Sequence, residues 1–86
     1  MPEVVIYTTM FCPFCWRAKK LLSKKGVAYE EIDIAVTPGA RDEMIARANG
    51  ADTVPQIFIG GRHVGGCDEL YALDKAGGLD PLLEVV

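Results

Sequence analysis

Apolar and polar positions change their period several times along the chain. Glu3-Val4-Val5-Ile6-Tyr7-Thr8 is a β-branched and aromatic run that predicts a buried strand over residues 3–8. From Pro13 to Lys25 the period lengthens. Phe14, Ala18, Leu21 and Leu22 recur at spacings of three and four, with Arg17, Lys19, Lys20, Lys24 and Lys25 mostly on the other side, which predicts an amphipathic helix. Pro13 suits the first helical turn, where its missing N–H costs nothing, and Gly26 suits the position just past the end. Val27 to Ile34 alternates and predicts a second strand. Thr37-Pro38-Gly39 is a turn. Ala40 to Asn49 carries Met44, Ile45 and Ala48 on one stripe and predicts a second helix, broken by Asn49-Gly50-Ala51-Asp52. Gln56–Ile59 and His63-Val64 predict two short strands joined by a Gly60-Gly61 hairpin turn. Asp68 to Lys75 predicts a third helix. Asp80-Pro81, an N-cap followed by proline, predicts a short last one.

The order β-α-β-α-β-β-α plus a terminal helical turn implies an α/β fold, a mixed four-stranded sheet flanked by helices. Its opening βαβ is a parallel crossover and its last two strands are antiparallel. Eighty-six residues suffice for one domain, expected over residues 1–86. Half the residues are apolar and a quarter charged, the balance of a folded globular chain. Nine basic against twelve acidic residues give a net charge of −3, a poor basis for gripping nucleic acid through its phosphates. No apolar run approaches the roughly 20 residues needed to cross a bilayer, so no membrane role is expected. Met1-Pro2-Glu3 lacks a basic leader region, and three cysteines are too few, and odd, for a secreted disulfide framework. A cytoplasmic setting is the expectation.

Cys12 and Cys15 form a C-x-x-C where the first strand feeds the first helix. A thiolate, not a thiol, attacks a disulfide. At the helix start, unpaired backbone N–H groups and the positive dipole end favour negative sulfur on Cys12. Cys15 lies a turn along and is partly shielded. Cys12 is therefore expected as the nucleophile and Cys15 as the resolving thiol. The small ring that they close constrains the unfolded chain little, so the pair suits redox cycling better than structural stapling. A zinc site from Cys12, Cys15, Cys67 and His63 has workable ligand spacing, but zinc knuckles put C-x-x-C on a turn rather than at a strand-to-helix junction.

Three motifs together, Cys12-Pro13-Phe14-Cys15, Thr53-Val54-Pro55 and Gly65-Gly66-Cys67-Asp68, resemble a dithiol glutaredoxin of the small bacterial kind, and the resemblance runs over nearly the whole chain. It implies a thioredoxin-like fold and glutathione-dependent thiol–disulfide oxidoreductase activity on glutathione mixed disulfides and protein disulfides. It implies a cis bond before Pro55 and pairing of the Val54 backbone with the cysteinyl unit of glutathione, in the manner of an added strand. It places the γ-glutamyl carboxylate on backbone N–H groups of Cys67 and Asp68, beside Gly66, and the α-amino group on the Asp68 carboxylate. Phe14, Thr53 and Pro55 are implied to line the same site. The helix start at Cys67 is itself a natural anion site. Glutathione is then the reducing co-substrate, with no tightly bound cofactor and no metal. Glutathionylated or disulfide-containing proteins, ribonucleotide reductase among them, are the implied partners. A separate glutathione reductase regenerates the glutathione, and the protein is expected to be a monomer.

The chain departs from the family pattern at several positions. Phe14 stands where many members have tyrosine, and Thr9 where many have a lysine that contacts the glycyl carboxylate. Arg41, early in the second helix, is expected to carry that contact alone. Residues 49–52 look one residue longer than usual, and Phe11 and Trp16 add apolar bulk on either side of the cysteines. The basic run over residues 17–25 is a solvated helix face or a steering surface for anions. Two alternatives remain from other classes. A glutathione-ligated iron–sulfur carrier is disfavoured by Pro13, since cluster-binding relatives usually have glycine or serine there. A thioredoxin-type reductant lacks its expected Trp-Cys-Gly-Pro-Cys pattern.

Overall fold

All five residues of β1 (Val4–Thr8) are buried, and a strand buried on both faces belongs in the interior of a sheet. The computed structural model, which describes residues 2–84, puts it there. The elements that follow are α1 (Pro13–Lys24), β2 (Glu30–Asp33), α2 (Ala40–Arg47), β3 (Gln56–Ile59), β4 (Arg62–Gly65), α3 (Cys67–Lys75) and α4 (Leu79–Leu83). The strand order is β2-β1-β3-β4, with β1 parallel to β2 and antiparallel to β3, and β4 antiparallel to β3. This is the mixed four-stranded sheet expected from the element order. Gly60 and Gly61 both have positive φ, as a two-residue hairpin of the favoured twist requires.

Side-chain alternation divides the core in two. Val4, Ile6, Ile57 and Ile59 meet Ala18, Leu21 and Leu22 of α1, Leu70 of α3 and Leu79 and Leu83 of α4. Val5, Tyr7 and Phe58 on the opposite face meet Met44 of α2 and the adjoining Ala48. Each large aliphatic side chain sealed from water contributes about 1.5–3 kcal/mol, and these contacts fix the helices against the sheet.

Several boundaries differ from the periodicity. β2 begins at Glu30 rather than Val27 because the partner runs out: Val5 pairs with Glu30, and only Val4 precedes it in β1. α2 ends at Arg47, and Asn49 takes a positive φ of 56° as the chain turns out of the helix. α3 begins at Cys67, one residue early, with Gly66 at the N-cap. α4 begins at Leu79 with Gly78 at the N-cap, so Asp80 is inside the helix. Leu79 is fully buried and pulls the first turn onto the core, while Asp80 pairs with Lys25 at 2.8 Å. Lys25 also holds Asp74 at 2.7 Å, joining the ends of α1 and α3 to α4.

Candidate active site

Cys12 occupies the N-cap of α1 in extended conformation, with Pro13 as the first helical residue. The chain turns here because proline pre-sets the helical φ and Trp16 N–H already donates to Cys12 O at 3.0 Å. A serine or aspartate oxygen usually serves as the cap acceptor; here the Cys12 Sγ does, accepting the Cys15 N–H at 3.2 Å. That N–H belongs to the positive end of the helix, so the sulfur sits where negative charge is stabilised. Cys12 is half-buried and Cys15 is 1% exposed, both as free thiols.

Burial pushes the Cys15 thiol up to about 12, and its hydrogen bond with Cys12 adds to the rise; the Thr9 backbone and the charge of Lys19 oppose it. Cys15 therefore stays protonated at neutral pH while Cys12 meets solvent. Lys19 is itself held by Glu31 at 2.9 Å, and Thr8 donates to the same carboxylate oxygen at 2.7 Å. The Lys19 partner, and then the Thr8 bond, hold the Glu31 carboxyl below its usual range.

A cleft of about 170 Å³ opens beside the cysteines. Phe14 lines it from α1, Thr53-Val54-Pro55 from the segment before β3, and Gly66-Cys67-Asp68 from the start of α3. Three stretches far apart in sequence thus converge. The Val54–Pro55 peptide is cis, as the resemblance implies. The Cys12 Sγ lies 3.8 Å from Val54 O, its thiol directed at that carbonyl. Among the described residues, no backbone hydrogen bond uses the Val54 N–H or C=O. The turn into α3 passes close: a Cβ on Gly66 would lie 3.3 Å from Pro55 O and 3.3 Å from Glu69 Oε1. Cys67 is buried in the main core, and burial raises its thiol against the opposing charge of Arg17. Its side chain packs in that core, and the residue also lines the cleft.

Arg41 is not brought to this cleft. It lines a separate one formed with residues 34–39, and lies 3.9 Å from Asp52, both side chains being exposed. Phe11 is 93% exposed and Trp16 60%. The Trp16 ring has Lys20 5.1 Å from its centroid. His63 is engaged by Gln56, its Nε2 at 2.7 Å from Gln56 Oε1. Among the described residues, no group of three or more His, Cys, Asp or Glu side chains is arranged to hold a metal ion. No described helix is long and apolar enough to cross a membrane.

Two contributions escaped the sequence. Glu69 also lines the cleft and accepts the Gly66 N–H at 2.8 Å, capping α3 from its third position. The spacing Gly66-x-x-Glu69 was the available signal. Gln56 is 4% exposed and binds back to Thr53. Its signal was a lone polar residue opening the run Ile57-Phe58-Ile59.

Comparison with known proteins follows the same lines. The glutaredoxin family model matches residues 4–64. The chain is 58% identical over 84 residues to glutaredoxin 3 of Escherichia coli (strain K12), covering 98% of this chain and all of that one. It is 59% identical over 83 residues to a glutaredoxin of Pseudomonas aeruginosa, covering 96% and 98%. The solution structure of a glutaredoxin from Brucella melitensis superposes with a TM-score of 0.84 at 55% identity, covering 99% of this chain and 91% of that one. A crystal structure of a buckwheat glutaredoxin–glutathione complex superposes at 0.87 with 33% identity, covering 96% and 77%.

Proposed function

The chain belongs to the glutaredoxin family and is a glutathione-disulfide oxidoreductase on the thioredoxin-like fold, and from this premise we propose that it reduces glutathione mixed disulfides through Cys12, and protein disulfides through Cys12 and Cys15 together. The observation that carries the reading is the Cys12 Sγ at the α1 N-cap, 3.2 Å from a helical N–H and 3.8 Å from Val54 O at the cleft.

In the first route the Cys12 thiolate attacks the glutathione sulfur of a mixed disulfide. The protein thiolate leaves, and Cys12 keeps glutathione. The thiolate of a second glutathione attacks the bound glutathione sulfur, forming glutathione disulfide and freeing Cys12. A separate reductase returns that disulfide to glutathione. In the second route Cys12 forms a mixed disulfide with the substrate protein. Cys15 gives up its proton to the departing protein thiolate, attacks the Cys12 sulfur and expels the reduced protein, leaving Cys12–Cys15 oxidised; two glutathione thiolates in turn reduce that pair and leave as glutathione disulfide. The high Cys15 pKa keeps this second thiol silent until a mixed disulfide forms beside it.

Glutathione lies in the cleft in this reading. Its cysteinyl backbone pairs with Val54 between Thr53 and Pro55, and Phe14 covers one wall. Its γ-glutamyl carboxylate meets the α3 start at Gly66, Cys67 and Asp68, and the Asp68 carboxylate takes the α-amino group. Arg41 remains the proposed partner of the glycyl carboxylate, but it lines a separate cleft and lies 3.9 Å from Asp52, so its effect on glutathione affinity is smaller than that of Asp68. Disulfide-containing proteins, ribonucleotide reductase among them, are the protein substrates.

Glutathione-dependent reduction of a glutathionylated peptide tests the reading. Cys12→Ser is expected to abolish turnover. Cys15→Ser is expected to keep it for the peptide and lose it for a protein disulfide. A Cys12→Ser variant that still turns over, or an inactive wild type with glutathione and its reductase in excess, overturns the reading.

A further inference from the structure

Gln56 is the first residue of β3, and its side chain is sealed in the protein. A buried primary amide is costly unless its donors and acceptor are met. Here they are. Nε2 donates to Thr53 O at 2.9 Å and reaches Thr53 Oγ1 at 3.3 Å, while Oε1 faces His63 Nε2 at 2.7 Å. The reverse amide orientation would set Oε1 against the Thr53 carbonyl oxygen, two acceptors facing each other. Nε2 therefore points to Thr53, and His63 Nε2 must be the donor to Oε1.

His63 is itself held on its face. It sits opposite Phe58 in the β3–β4 register, and the two rings stack with centroids 5.0 Å apart and 29° between planes. Phe58 is in turn fixed in the core, edge-on to Tyr7 at 5.7 Å, with the Arg47 guanidinium 4.4 Å from its centroid. The result is a chain of contacts from a core ring to a backbone carbonyl: Phe58, His63, Gln56, Thr53. Its end closes a four-residue loop, because Gln56 reaches back over Val54 and Pro55 to Thr53. Within that loop lies Val54, which lines the cleft and whose backbone groups have no backbone partner among the described residues.

We propose that Gln56 and His63 are positioning residues that brace the Thr53–Pro55 segment, so that the Val54 backbone is already set to receive the peptide backbone of glutathione. The inference rests on the glutathione reading above and deepens it. Neither residue touches glutathione. Gln56 acts through Thr53, and His63 acts through Gln56. The contribution is preorganisation: ordering is done before binding and is not charged against affinity. It should therefore act on substrate affinity, not on the chemistry at Cys12.

The test is steady-state reduction of a glutathionylated peptide, with iodoacetamide alkylation of Cys12 and thermal unfolding recorded on the same samples. Gln56→Leu is expected to raise KM about tenfold while kcat stays within about threefold, as for loss of a brace worth one buried hydrogen bond. His63→Phe keeps a ring to stack on Phe58 but has no donor; KM should rise about threefold, the share of one weakened bond in the relay. His63→Gln restores a donor and should return KM toward the wild-type value. The double variant Gln56→Leu with His63→Phe should be no worse than Gln56→Leu alone, because both act on one path. Alkylation of Cys12, whose helix-cap bond from the Cys15 N–H these variants leave in place, should change by less than KM does. If Gln56→Leu does not fold, His63→Phe and its glutamine rescue carry the test. An unchanged KM in folded variants, or a loss confined to kcat, overturns the inference while leaving the glutathione reading intact. An inactive wild type overturns both.

Discussion

The two faces of the sheet are built from different materials. The face toward α1, α3 and α4 is aliphatic nearly throughout, from Val4 and Ile6 to Leu70 and Leu83. The face toward α2 is thinner and mixes Met44 and Phe58 with polar groups. There Tyr7 donates to Glu43 Oε1 at 2.6 Å and accepts from Arg47 Nη1 at 2.9 Å, and His63 and Gln56 meet nearby. Aliphatic packing is non-directional and supplies stability; hydrogen bonds are directional and supply position. The helices that carry Cys12, Cys15 and Asp68 ride on the first face. The Thr53–Pro55 segment is held from the second. The cleft is the place where an element held by packing meets one held by hydrogen bonds.

The contrast can be broken at several points. Leu70→Ala empties a fully buried position in the aliphatic layer, and urea titration should show a loss of about 2–5 kcal/mol. A loss below about 1 kcal/mol would mean that this face does not carry the stability. Tyr7→Phe keeps the ring and removes only the hydroxyl. Glu43 and Arg47 lie 3.8 Å apart and reach solvent, so they can pair with each other or with water. The expected loss is about 1 kcal/mol; a loss as large as that of Leu70→Ala would erase the distinction.

The smallest effect concerns the rim of the aliphatic face, where Lys19 bridges α1 to Glu31 of β2. The folded state lowers the Glu31 pKa. The pair's contribution is therefore present above the ordinary glutamate value, about 4.3, and is lost as pH falls through the lower folded value. Both side chains are partly exposed, so solvent screening keeps the contribution under about 1 kcal/mol. Thermal unfolding of wild type and Lys19→Met should differ slightly at pH 6 and converge toward pH 2. A gap that widens on acidification would contradict the sign.

Legibility in the sequence follows how local each feature is. The strand–turn–helix around Cys12 could be read because Val4–Thr8, Pro13 and the Ala18/Leu21/Leu22 stripe lie within some twenty residues. The converging segments Thr53–Pro55 and Gly66–Asp68 came only through resemblance, since nothing local says that they face one cleft. The His63–Gln56 bond joins two strands: the hairpin register sets His63 opposite Phe58, and Gln56 lies two residues before Phe58 in β3. Which side chains meet across two short strands is a matter of register, and composition and period alone do not state it. The start of α4 was misplaced because Asp80-Pro81 is a strong local cap signal, and tertiary burial of Leu79 overrides it.

The central place of β1 has a consequence for the newly made chain. Its parallel neighbour is complete by Asp33, but its antiparallel neighbour starts only at Gln56. At synthesis rates of about 5–20 residues per second, those intervening residues take on the order of seconds to appear. For that time Val4-Val5-Ile6-Tyr7 presents one bare strand edge, the kind of surface that pairs with other chains. Arrival of Gln56–Ile59 closes that edge of β1, and Gln56, which opens the strand, is also the residue that braces the cleft.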